Sequence, residues 1–99
     1  MAKTPEGAVK EKVKRWCDKH NLWYLMPVPS PYGRMVGMSD FLILNKGIFI
    51  VIECKPEKST RPPTPKQQEY MDNVIANGGK AYLVRCAEDL LAIEKELRL

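Results

Sequence analysis

The chain has no apolar run long enough to cross a membrane, which sets aside a helical membrane-spanning role. Its opening Met-Ala-Lys-Thr-Pro-Glu lacks the apolar core of a secretory signal, so residence in the cytoplasm is the expectation. Cysteine is sparse: Cys17, Cys54 and Cys86 are odd in number, widely spaced and without a Cys-X-X-Cys pair. That pattern argues against both a disulfide framework and a zinc centre, and leaves thiols that pack in a reducing compartment. There are no internal repeats and no low-complexity tracts. Neither a zinc finger nor an evident recognition helix is present to read base edges.

What is there is an ordinary globular composition, 44% hydrophobic and 28% charged, in 99 residues. That length suits one domain with a real core and is too short for two. Sixteen Lys and Arg against twelve Asp and Glu give a net charge of +4. A basic balance suits a polyanionic partner, although small proteins with a merely solvated basic surface are common.

Chemistry concentrates between Gly37 and Lys55. Two apolar runs flank Asn45-Lys46-Gly47, which is a hairpin pattern. Asp40 enters the first strand, and Glu53 and Lys55 leave the second. Side chains alternate along a strand, so Glu53 and Lys55 share a face while Cys54 turns away. A loop of even length, simplest as Lys46-Gly47, sets Asp40 directly opposite Glu53; an odd loop sends them to opposite faces. Facing carboxylates about 5 Å apart, at an effective dielectric near 20, repel by roughly 3 kcal/mol before screening. A divalent cation reverses that sign. Mg²⁺ or Mn²⁺ held by Asp40, Glu53 and the Cys54 backbone carbonyl is therefore the expectation, with charges solvated at a strand end as the plainer alternative.

Either side of this stretch the chain reads as alternating elements. Thr4-Pro5-Glu6 opens a helix whose buried stripe is Val9, Val13, Trp16 and Cys17. Glu6 continues that inward face, where it serves either a site or the helix dipole. Lys10 and Lys14 fall mostly away from the stripe and are candidate phosphate contacts. Leu22 to Val28 reads as a strand in which Trp23 and Tyr24 are core or interface residues. The following loop carries Arg34, a further phosphate candidate. Pro56 to Pro63 is too proline-rich for regular structure, and its Lys58 and Arg61 are placed to reach nucleic acid.

Thr64-Pro65-Lys66-Gln67 starts a second helix, with Gln67 able to close a capping box. Gln67 also shares a face with Met71, Val74 and Ile75, so it points inward at the end nearest Lys55. Asn77-Gly78-Gly79 ends that helix, Ala81 to Val84 is a short strand, and Leu90, Leu91, Ile93, Glu94 and Leu97 mark a last amphipathic helix. Strand, helix and strand from Ile48 onward imply a right-handed parallel crossover. The fold class predicted is α/β, a mixed sheet flanked by helices in the order αβββαβα.

Gly37-Met38-Ser39-Asp40, a hairpin and Glu53-Cys54-Lys55 together resemble the Asp...Glu-X-Lys signature of the PD-(D/E)XK nuclease superfamily. More narrowly they resemble the VRR-NUC (virus-type replication-repair nuclease) domain. Glu6 and Thr64-Pro65-Lys66-Gln67 fall where that family has a helix Glu and a Ser/Thr-Pro-X-Gln element, so the resemblance spans nearly the whole chain. Ser39 departs from it, standing where the family commonly has Pro.

The resemblance implies a restriction-endonuclease-like fold and metal-dependent hydrolysis of phosphodiester bonds. Glu6 would be a further or water-mediated ligand beside Asp40, Glu53 and the Cys54 carbonyl. Lys55 would orient the attacking water or steady the transition state, and Gln67 would position water or Lys55. The implied partner is branched DNA, a four-way (Holliday) junction before a flap, cut by a homodimer because symmetric cleavage needs paired sites. An inactive nucleic-acid-binding module and a protein-interaction domain are the rival classes, the latter without salt-sensitive affinity for DNA.

Overall fold

A computed structural model describes residues 4–28 and 37–99. Helix α1 (Pro5–Lys19) begins where Thr4 caps it, the hydroxyl accepting from the Gly7 N–H at 2.9 Å, and where Pro5 occupies a position that needs no donor. Its buried residues are Val9, Val13, Trp16 and Cys17. Strand β1 (Trp23–Leu25) is shorter than the expected Leu22–Val28. The Leu22 N–H is already committed to the Cys17 carbonyl at the helix end, and Pro27 has none to offer a ladder.

Strands β2 (Phe41–Asn45) and β3 (Ile48–Cys54) form the hairpin. Asn45 pairs with Ile48, and both turn residues, Lys46 and Gly47, have positive φ (51° and 83°). Two left-handed residues suit the right-handed twist of the flanking strands, and glycine makes the second of them cheap. Helix α2 (Pro65–Ala76) then carries the chain to β4 (Lys80–Val84), and α3 (Ala87–Leu97) follows. The sheet runs β1-β2-β3-β4; the first two pairings are antiparallel and β3 lies parallel to β4. The described residues thus make an α/β fold with a four-stranded mixed sheet and three helices.

Alternation along the strands divides the packing. Phe41, Ile43, Ile50, Ile52, Cys54 and Val84 face α1 and α3 in the larger core. Val51, with half-buried Leu42 and Ala81, faces Met71 and Val74 of α2. Two residues lie outside the core: Ile75, expected on the inward face of α2, and Trp23, expected in the core or at an interface. Ile75 is exposed beyond the contact stripe of α2, and Trp23 is 63% exposed. Trp23 stands opposite Leu44, and Leu44 opposite Phe49, all exposed on the α2 side of the sheet together with Leu25. Tyr24, on the other side, packs against Phe41 with ring centroids 5.7 Å apart. Glu94 of the last helix is not merely solvated: one oxygen accepts from the Trp16 indole at 2.8 Å and lies 2.9 Å from His20 Nε2, tying α3 to the end of α1.

Candidate metal centre

The paired register ends at Phe41 and Ile52, and the next residues outward are Asp40 and Glu53, the positions that an even loop sets opposite each other. Asp40 sits at the bend into β2, and its Oδ2 accepts from the Cys54 N–H at 2.8 Å. That bond fixes one acid against the strand that carries the other. Glu53 is 2% exposed. Its Oε1 accepts from the Gln67 side-chain amide at 2.8 Å, while Oε2 is buried with no hydrogen-bond partner among the described residues.

A buried carboxylate oxygen without a partner is costly. Burial first, and the Asp40 carboxylate second, push Glu53 up to about 8, against the smaller opposing pull of Lys55. Either a proton or a cation neutralises such a site. The two carboxylates, Asp40 and Glu53, offer oxygen, and the Cys54 thiol is fully buried on the opposite face among the α1 and α3 core residues. Hard oxygen donors beside an orphaned carboxylate oxygen fit Mg²⁺ or Mn²⁺ better than zinc or copper. Among the described residues, no three His, Cys, Asp or Glu side chains are gathered into one ligating group.

Glu6 is the outlying member. It is half-buried, and between it and Asp40 stands the Lys10 ammonium, 4.0 Å from Glu6 Oε2 and 3.4 Å from Asp40 Oδ1. Burial lowers the Lys10 pKa, but the two carboxylates outweigh it and leave the pKa raised. Lys10 therefore faces the acids rather than tracking outward with exposed Lys14. The i,i+4 spacing of Glu6 and Lys10 accounts for their own pairing but not for the reach of Lys10 to Asp40.

Gln67 serves two purposes at once. Its Oε1 accepts from the Thr64 N–H and from Lys55 Nζ, both at 2.9 Å, while its backbone N–H donates to the Thr64 hydroxyl at 3.2 Å. With two donors against the oxygen, the amide nitrogen is left to face Glu53, so the capping box sets the side chain's orientation. Lys55 thus reaches the acids through Gln67, and forms no ion pair with either carboxylate among the described residues. Gly37 holds the approach to Asp40 against the start of α2. Its φ is +81°, and a Cβ there would lie 2.7 Å from the Lys66 backbone.

Lys58 and Arg61 are exposed on the segment after Lys55, and Arg34 lies outside the described residues. Arg85, which the sequence reading missed, fastens that segment. Its Nε donates to the Ser59 carbonyl at 2.8 Å and its Nη2 to the Arg61 carbonyl. The parallel pairing of Cys54 with Val84 makes Arg85 the neighbour of Lys55 across the sheet, and that crossover was the available clue. Lys12 also ties α1 to this segment, 3.6 Å from Glu57. A cleft of about 480 Å³ opens there, lined by Pro5, Ala8, Val9, Lys12, Pro56, Glu57 and Lys58.

Compared with family models, curated proteins and solved structures, the chain matches none.

Proposed function

We propose that this chain is a divalent-metal-dependent endonuclease of the PD-(D/E)XK type with a restriction-endonuclease-like fold and, within that superfamily, of the VRR-NUC kind. The observation that carries the reading is the buried, unpartnered Glu53 Oε2 beside Asp40, with Lys55 tethered to the same carboxylate through Gln67. Asp40, Glu53 and the Cys54 carbonyl would hold Mg²⁺ or Mn²⁺, with Glu6 as an outer or water-mediated ligand. When bound, the ion activates water and neutralises charge on the phosphate under attack.

The protein's own groups do the rest. The Cys54 N–H and the Gln67 amide hold the two acids in place. The Lys55 ammonium, positioned by Gln67, bears on the attacking water and on charge developing at phosphate oxygen. Lys14, Lys58, Arg34 and Arg61 are assigned to the DNA backbone, and the cleft beside Lys12 and Lys58 leaves room for a strand.

The substrate assigned is branched DNA, first a four-way (Holliday) junction, cut by a homodimer that places two such sites on opposing strands. The exposed apolar strip of Trp23, Leu25, Leu44 and Phe49 offers a surface for self-association. The test is cleavage of labelled junction, flap and linear duplex in Mn²⁺. The wild type is expected to cut branched DNA. Asp40→Asn and Lys55→Ala are each expected to lose roughly 10²-fold or more in rate, on the scale of removing one charge-stabilising group from a site. Equal cleavage by wild type and Asp40→Asn would overturn the proposal.

A further inference from the structure

Lys10 stands closer to the acids than a phosphate-tracking lysine would. Asp40 has two oxygens, of which Oδ2 is held by the Cys54 N–H and Oδ1 faces the Lys10 ammonium at 3.4 Å. The same ammonium lies 4.0 Å from Glu6 Oε2, one turn earlier on α1. The Lys10 and Asp40 side chains are 34% and 19% exposed, so the pair is partly withdrawn from water rather than a loose surface contact. Glu53 is 2% exposed and its buried Oε2, without a partner among the described residues, marks where positive charge is still wanted beside this pair.

We propose that Lys10 is a built-in counter-cation of the acidic site, holding Asp40 and Glu6 in the metal-free protein and competing with a divalent ion for them. The inference rests on the metal-dependent nuclease reading and deepens it. A divalent ion shared by Asp40 and Glu53 must take an Asp40 oxygen that already has a partner. Placing it there sets two cations against one carboxylate, which weakens the hold of one of them. The lysine stem is flexible and its ammonium compact, so it is the member that moves. Once displaced from Asp40, it is free to pair with a phosphate of the substrate. Metal binding and DNA binding then favour each other, by the reciprocity that any linkage obeys.

Mn²⁺ affinity decides the matter, measured by the electron paramagnetic resonance signal of the free ion, with thermal unfolding of each variant to confirm that it is folded. Lys10→Met is expected to bind Mn²⁺ about two- to tenfold more tightly than wild type, the range set by losing a partly buried ion pair. Lys10→Arg, which keeps the charge, is expected to stay within about twofold of wild type. Lys19→Met, which removes a charge from the far end of α1, is expected to leave affinity unchanged and so control for net charge. Asp40-dependent Mn²⁺ binding that Lys10→Met leaves unchanged or weakens would overturn the role of Lys10 alone. Absence of any binding that Asp40→Asn abolishes would overturn the nuclease reading, and this inference with it.

Discussion

Glu53 sets the site's dependence on pH. Its folded-state pKa of about 8 lies above the ordinary 4.5, so between those values the folded protein holds more protons than the unfolded chain. The stability from this group is complete below about pH 4.5 and is lost as pH rises through 8. In the presence of a chelator, wild type is therefore expected to unfold at lower urea concentration at pH 8.5 than at pH 5, by on the order of 2–4 kcal/mol. Glu53→Gln is expected to flatten that difference, and saturating Mg²⁺ to restore the wild type at high pH. Ser39 invites a second measurement. Its hydroxyl is buried without a partner among the described residues, so Ser39→Ala is expected to raise stability by about 1 kcal/mol in urea unfolding.

At the scale of an element, helix α2 couples its own start to the geometry of the acidic site. Its first turn is stabilised by the capping box, and the side chain that completes the box is the one between Lys55 and Glu53. Gln67→Ala is expected to cost about 1–2 kcal/mol of stability, because a cap and a buried acceptor's partner are lost together. Gln67→Glu would place a second carboxylate against Glu53. Gly37→Ala is expected to destabilise by about 1–3 kcal/mol, since the positive φ and the approach to Lys66 both oppose a side chain.

Much of this level was legible in the sequence. Alternation made the placement of Asp40 and Glu53 depend on the parity of the hairpin loop, and the structure has the two-residue turn; Thr64-Pro65 marked the start of α2. Gln67's capping followed from its being the third residue of the helix; its place on the inward face left a second use open, which the family resemblance favoured. What could not be read was contact between elements distant in the chain. Nothing local tells that Lys10 meets Asp40, or that Arg85 grips the carbonyls of Ser59 and Arg61.

The whole molecule is asymmetric in how it covers its sheet. Two helices protect one side, while on the other Trp23, Leu25, Leu44 and Phe49 remain exposed. Trp23 was expected in the core or at an interface because aromatic residues mostly serve burial; its pairing with Leu44 puts it on the face away from α1 and α3, outside the core. If that strip joins two copies, Trp23→Lys is expected to give a monomer in analytical ultracentrifugation. Its Mn²⁺ binding should persist, while paired cuts in a junction give way to single nicks. A dimer unaffected by the substitution would move the interface elsewhere.

Under the proposed nuclease function, the Arg85 clamp bears on the thermodynamics of DNA capture. It fastens Ser59 and Arg61 to the end of β4, and so would settle part of the proposed DNA grip's conformation before binding. Arg85→Ala would shift that ordering to the moment of encounter. Calorimetry should then find a more unfavourable binding entropy, with the acids of the site unchanged.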